Sequence, residues 1–123
     1  MQKDFFVLQV GESIEKSRYA EYVLRKLPAW FADEEALREY IQGVKDSLLW
    51  AAFDRNDSCI GFFSIKTHYQ CIGEIYVCGV LPELRGRGIG RAIYNEVENY
   101  LIQRGYTYMV VKTLSDTIDY EPY

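Results

Sequence analysis

The chain has 123 residues, 49% hydrophobic, 15% aromatic and 26% charged, which suits one packed core and leaves no room for two, so a single domain over residues 1–123 is expected. Fourteen Lys and Arg against eighteen Asp and Glu give a formal charge of -4, with no basic footprint for a nucleic-acid partner. No apolar run approaches the roughly 18 residues of a membrane helix, and Met1 leads straight into Phe5-Phe6-Val7 without a secretory signal, so a soluble, cytoplasmic protein with no membrane partner is expected.

Phe5 to Glu12 opens apolar and β-prone and is broken by Gly11 and Glu12-Ser13, which predicts a strand followed by a helix capped at Ser13. That helix would bury Ile14, Tyr19, Tyr22, Val23 and Leu27 and stop at Pro28. Asp33 reads as the N-cap of a second helix running to about Lys45, with Glu34 and Glu35 suited to the positive end of its dipole. Leu48 to Phe53 and Cys59 to Ile65 are apolar runs around the turn residues Asp54-Arg55-Asn56-Asp57, which predicts a hairpin. A second turn around His68 leads to a strand over Ile72 to Leu81, where Ile75, Val77 and Gly79 alternate with Tyr76, Cys78 and Val80 on two faces. Ile89, Ile93, Val97, Tyr100 and Leu101 then form a helical stripe ended by Gly105, and Tyr106 to Thr113 reads as a buried strand. The order predicts antiparallel strands plus one β-α-β crossover, whose two strands should lie side by side and parallel.

Several chemistries lack their residues. Cys59, Cys71 and Cys78 are odd in number and show no Cys-x-x-Cys spacing, so neither a disulfide framework nor a zinc site is expected. His68 is the single histidine, in a polar stretch that reads as a solvated turn, so no metal site is expected.

The segment that can carry chemistry is Val80-Leu81-Pro82-Glu83-Leu84-Arg85-Gly86-Arg87-Gly88-Ile89-Gly90-Arg91, at the C-terminal end of the strand entering the crossover. Three glycines in five positions before an amphipathic helix allow a tight turn that aims consecutive N–H groups at an anion, most simply a phosphate. A plain helix-entry turn would use the same residues. The spacing fits neither a Walker loop, which needs Lys-Ser or Lys-Thr after its glycines, nor the Gly-x-Gly-x-x-Gly of dinucleotide folds.

Arg85-Gly86-Arg87-Gly88-Ile89-Gly90 resembles the Gln/Arg-x-x-Gly-x-Gly/Ala acyl-coenzyme A motif of the GNAT superfamily of N-acetyltransferases. The strand before it looks like that family's fourth strand, and the element order from Phe5 to Thr113 follows its common core. The resemblance implies an α+β fold, with a mixed, mostly antiparallel sheet and helices on both faces. It also implies acetyl-CoA as acyl donor, with the backbone amides of Arg85, Gly86, Arg87, Gly88, Ile89, Gly90 and Arg91 on its pyrophosphate and main-chain groups of Cys78, Gly79, Val80 and Leu81 on the pantetheine arm. Cys78 is read as strand packing rather than a nucleophile.

Transfer to an amine requires removing a proton from an alkylammonium, a step costing about 4.6 kcal/mol at pH 7 for a pKa near 10.4. Glu74 matches a position that serves as general base in several members, and Glu83 is a weaker candidate. The implied function is acetyl transfer to a primary amine of a small molecule or peptide by direct attack; a noncatalytic acyl-CoA-binding module of the same fold is the alternative. The acidic Asp33, Glu34 and Glu35 are read either as an ordinary helix start or as part of the acceptor wall. Family members continue past the Tyr106 to Thr113 strand with a helix and a β-hairpin carrying an acid tyrosine, a role that Tyr120 and Tyr123 do not match. A C-terminally shortened fold is therefore expected, with an apolar edge at Met109 to Val111 covered by a second copy in a homodimer, by swapped segments or by the tail.

Overall fold

A computed structural model describes residues 4–27, 33–69 and 71–111. The elements are β1 (Phe5–Val10), α1 (Ser13–Leu24), α2 (Glu34–Gly43), β2 (Leu48–Asp54), β3 (Cys59–His68), β4 (Ile72–Val80), α3 (Ile89–Gln103) and β5 (Tyr108–Val111), with short 3-10 turns at Val44–Asp46 and Pro82–Leu84. The strands form one sheet in the order β1-β2-β3-β4-β5. β1 to β4 are antiparallel neighbours, and β5 joins β4 in parallel through the α3 crossover, as the element order predicts.

Helices cover both faces. On one side α3 buries Ile89, Ile93, Val97 and Leu101, with the Tyr94 ring 6.5 Å from that of Phe63 and Tyr100 edge-on to Trp50 at 5.0 Å. On the other α1 buries Ala20, Val23 and Leu24, and Tyr19 meets Phe53 edge-on at 5.1 Å. Gly105 closes α3 with a φ of +83°, the left-handed conformation expected of a C-terminal cap. Among the described residues no helix is long and apolar enough to cross a membrane.

Local chemistry revises several expectations. The cap of α1 is Glu12, whose carboxylate accepts from the Glu15 N–H at 3.0 Å, while Ser13 is already helical and its hydroxyl donates to the Lys45 carbonyl. The buried stripe of α1 is Ser17, Ala20, Val23 and Leu24 rather than one holding Ile14 and Tyr22, which are 60% and 46% exposed. Tyr22 instead receives the Lys26 ammonium 5.1 Å from its ring. Asp33 does cap α2, accepting from Glu35 and Ala36 N–H, and Asp54 accepts from Asn56 and Ser58 N–H in the β2–β3 turn. β3 runs on to His68, so that histidine ends a strand instead of lying in a turn.

The largest departure is in β4. Its pairing with β3 shifts between Ser64↔Val77 and Ile65↔Ile75, leaving Tyr76 as the extra residue of a β-bulge. A Cβ on Gly73 would meet Leu101 of α3, whereas one on Gly79 would meet Leu27 and Val23 beside α1. The strict alternation expected from Ile75 through Val80 therefore fails at Tyr76, because one inserted residue turns the rest of the strand over. Ser64, fully buried, stabilises the bulge: its hydroxyl donates to the Val77 carbonyl at 3.0 Å and accepts from the Val77 N–H at 3.2 Å.

Of β5, Tyr108–Val111 is described, and the remainder of the strand expected to Thr113, together with Pro28, Tyr120 and Tyr123, lies outside the described residues. The edge at Met109 to Val111 was expected to need a cover; residues 112–123, which would provide one from the same chain, lie there too.

Candidate acetyl-donor and acceptor site

One cluster follows the C-terminal end of β4 and a second lies along its N-terminal half. The first is built from backbone. Registered pairing of β4 with β5 ends at Ile75↔Val111, so Tyr76 to Val80 run past the last described residue of β5. Leu81 is tied to the Ile60 carbonyl by its N–H at 3.0 Å, and Pro82 starts a 3-10 turn that carries the chain round to Arg85.

Gly86 and Gly88 follow with φ of +84° and +80°. Nothing lies within 4 Å of a Cβ placed on either, so the glycines serve backbone conformation rather than close packing, and the space before them is open. Gly88 is the N-cap of α3 and offers no side chain to the helix. The first intrahelical bond runs from the Ala92 N–H to the Gly88 carbonyl at 3.0 Å, which leaves the N–H groups of Ile89, Gly90 and Arg91 without an intrahelical acceptor. Ile89 and Gly90 are buried against the sheet, and Arg85, Arg87 and Arg91 stand exposed around the turn. An anion with several oxygens fits this arrangement through the helix end and its cationic rim. Cys78, half-buried on β4, and Gly79, Val80 and Leu81 form the wall leading from that turn back toward the bulge.

The second cluster is built from side chains. Lys66 pairs with Glu74 across β3 and β4, and His68 with Ile72. Glu74, 18% exposed, has its Oε1 2.8 Å from His68 Nε2, so the imidazole holds the carboxylate in place. On the same face Tyr76 packs against Tyr40 of α2, centroid to centroid 5.4 Å, and Lys66 Nζ sits 4.4 Å from the Tyr76 centroid. Burial raises both phenols above their ordinary range, for Tyr76 with help from Glu39 and Glu74 and for Tyr40 with help from Tyr76 and Glu39. Both stay protonated well above neutrality.

Glu74 thus stands two residues before the bulge at Tyr76 and is registered against Val110 of β5, whereas Glu83 is exposed in the Pro82–Leu84 turn. Of the three acids at the start of α2, Asp33 caps the helix, Glu34 accepts from Arg25 at 2.9 Å and Arg38 at 3.1 Å, and Glu35 is exposed. Hydrogen bonds from these two guanidinium groups hold the Glu34 carboxyl down to about 2, which favours an ordinary helix start over a place in the acceptor wall. The acidic residue of α2 whose charge reaches Tyr76 is Glu39. Sequence reading passed over Lys66, His68, Tyr40 and Tyr76 as functional residues; the signal present was period 2 on β3, which puts Lys66 and His68 on one face.

The acetyltransferase (GNAT) family model matches residues 12–119. A mycothiol acetyltransferase from Saccharopolyspora erythraea is 32% identical over 72 residues, 53% of this chain and 24% of that protein. One from Renibacterium salmoninarum is 37% identical over 59 residues, 44% of this chain and 18% of that protein, so the chain spans less than a quarter of the curated relatives it matches. Among solved structures, an aminoglycoside 6'-N-acetyltransferase complexed with coenzyme A superposes with a TM-score of 0.72 at 18% identity, covering 88% of this chain and 61% of that one. A ribosomal-protein-alanine N-acetyltransferase from Brucella melitensis gives 0.67 at 12% identity, with coverages of 92% and 82%. These share the α+β fold of a mostly antiparallel sheet between helices, and the match over residues 12–119 shows that the chain belongs to the acetyltransferase (GNAT) family.

Proposed function

We propose that the protein is an N-acetyltransferase that moves the acetyl group of acetyl-CoA to a primary amine by direct attack, within a single domain. The observation that carries this reading is the left-handed Gly86–Gly88 turn, which delivers three helix-end N–H groups just after the C-terminal end of β4. Those amides, with Arg85, Arg87 and Arg91 around them, are the groups that would hold the diphosphate. Main-chain groups from Cys78 to Leu81 would take the pantetheine arm as an added strand does, by backbone hydrogen bonds. Tyr76, the extra residue in the register of β4 with β3, would turn its backbone toward the thioester carbonyl. Bound acetyl-CoA supplies the electrophilic thioester carbon.

Glu74 is the group that would take the proton of the acceptor ammonium, and His68 keeps its carboxylate from swinging away. The Tyr40–Tyr76 pair and the charges of Glu39 and Glu74 would draw a cationic amine to that point. The curated relatives named for mycothiol and the structural neighbour named for aminoglycosides support a small-molecule amine as acceptor, while the neighbour named for a ribosomal protein keeps a peptide amine in the panel.

The test is release of coenzyme A thiol over a panel of small-molecule and peptide amines, with Gly88→Asp and Glu74→Gln assayed alongside. Turnover with at least one amine, lost in both variants, is expected. Coenzyme A binding without turnover on any amine would make the chain a binding module, and a normal rate in Gly88→Asp would overturn the phosphate-loop assignment.

A further inference from the structure

Lys66 is a primary amine already seated where an acceptor amine is needed. It is registered opposite Glu74 on the β3–β4 pair, on the same face of the sheet. Its Nζ is 4.4 Å from the centroid of the Tyr76 ring, at the bulge where the register of β4 with β3 shifts. Tyr40 packs against that ring too, with its centroid 5.4 Å away. Other described lysines are placed differently: Lys16 donates to the Ser47 carbonyl from α1, and Lys26 lies over Tyr22 on the same helix.

Resting on the acetyltransferase reading above, we propose that Lys66 is an internal acetyl acceptor, modified by the protein's own site when an acetyl thioester is bound. The Lys66 ammonium first passes one proton, through water, to the Glu74 carboxylate. The nitrogen lone pair then attacks the thioester carbonyl carbon; a C–N bond forms and the C–S bond breaks. The second proton leaving nitrogen ends on the departing sulfur, giving an amide and a free thiol, while Glu74 returns its proton to water. The amide carries no charge, so modification removes the cation that rests on Tyr76 and frees that ring face for an external amine.

The experiment incubates the full chain with acetyl-CoA, without added amine, and follows acetylation of each lysine by peptide mass spectrometry. Lys66 is expected to be modified at least ~10-fold faster than Lys26 and Lys45, because proximity replaces a bimolecular encounter. Its rate constant should be independent of protein concentration and suppressed by excess unacetylated coenzyme A. Lys66 modified no faster than Lys26 and Lys45, or insensitive to that competitor, would overturn the proposal. Thiol release with an external amine while Lys66 lags would sink the internal acceptor and leave the acetyltransferase reading standing; no acetyl transfer to any amine or to Lys66 would remove both. Lys66→Arg keeps a cation on Tyr76 and should abolish the modified peptide without loss of fold.

Discussion

The two ends of the candidate site are made differently. The anion end depends on backbone: two left-handed glycines and the first N–H groups of one helix, all within Gly86 to Arg91. The amine end depends on side chains brought from α2, β3 and β4, namely Tyr40, Lys66, His68, Glu74 and Tyr76. A backbone site tolerates changes in its side chains provided each φ is kept, whereas a side-chain site depends on register and on the bulge that sets it.

The largest effect should come from the anion end. Gly88→Asp places a carboxylate before the orphan amides and is expected to weaken coenzyme A binding by about 100-fold, measured by titration calorimetry. Gly105→Ala is the sharper control, because Gly105 has nearly the same φ, +83° against +80°, at the other end of α3. It should cost about 1 kcal/mol of stability and leave coenzyme A affinity unchanged. Equal losses of affinity in the two variants would dissolve the distinction between the ends.

At the amine end, Glu74→Gln retains the shape and removes the proposed base. We expect kcat to fall by about 100-fold with coenzyme A binding intact, in steady-state kinetics and calorimetry. Loss of binding in this variant would mean that Glu74 supports the donor rather than the acceptor.

The bulge that joins the ends can be tested through Ser64. Ser64→Ala leaves the buried N–H and carbonyl of Val77 without their hydroxyl partner, so a cost of about 1–3 kcal/mol in chemical denaturation is expected, with a fall in turnover. An unchanged denaturation midpoint would show that the bulge does not need this hydroxyl.

The smallest effect concerns Cys59, buried in the sheet and bonded to the Gly61 carbonyl. Burial pushes its thiol up to about 12. The unfolded thiol ionises near about 8.5, so Cys59 contributes its full stability below that pH and loses it progressively as pH rises toward the folded value. Denaturation midpoints should drop modestly from about pH 8 to about pH 10, and the drop should shrink in Cys59→Ala. At neutral pH, thiol reagents should reach the half-buried Cys71 and Cys78 well before Cys59.

Legibility in the sequence followed the same division. The Gly86–Gly88 turn was readable because left-handed backbone needs glycine locally, and α3 because Ile89, Ile93, Val97 and Leu101 recur at helical spacing. The parallel pairing of β4 and β5 followed from the crossover between them. The bulge at Tyr76 was not readable, since the hydroxyl that stabilises it comes from Ser64, twelve positions earlier in the chain. Without that bulge the strand reads as simple alternation. His68 is exposed, as the sequence suggests, but its partner was not readable, because Glu74 lies across a turn in the next strand. α1 misled because Ile14 and Tyr22 fit a helical stripe, yet Ala20 and Leu24 pack closer to the sheet.

The most direct test of the central claim is a titration of the nitrogen-labelled protein with coenzyme A, following backbone amide resonances. The amides of Gly88, Ile89, Gly90 and Arg91 should move most and saturate together with calorimetric binding. Saturable binding that leaves those four amides in place while others shift would contradict the assignment of the diphosphate to the start of α3.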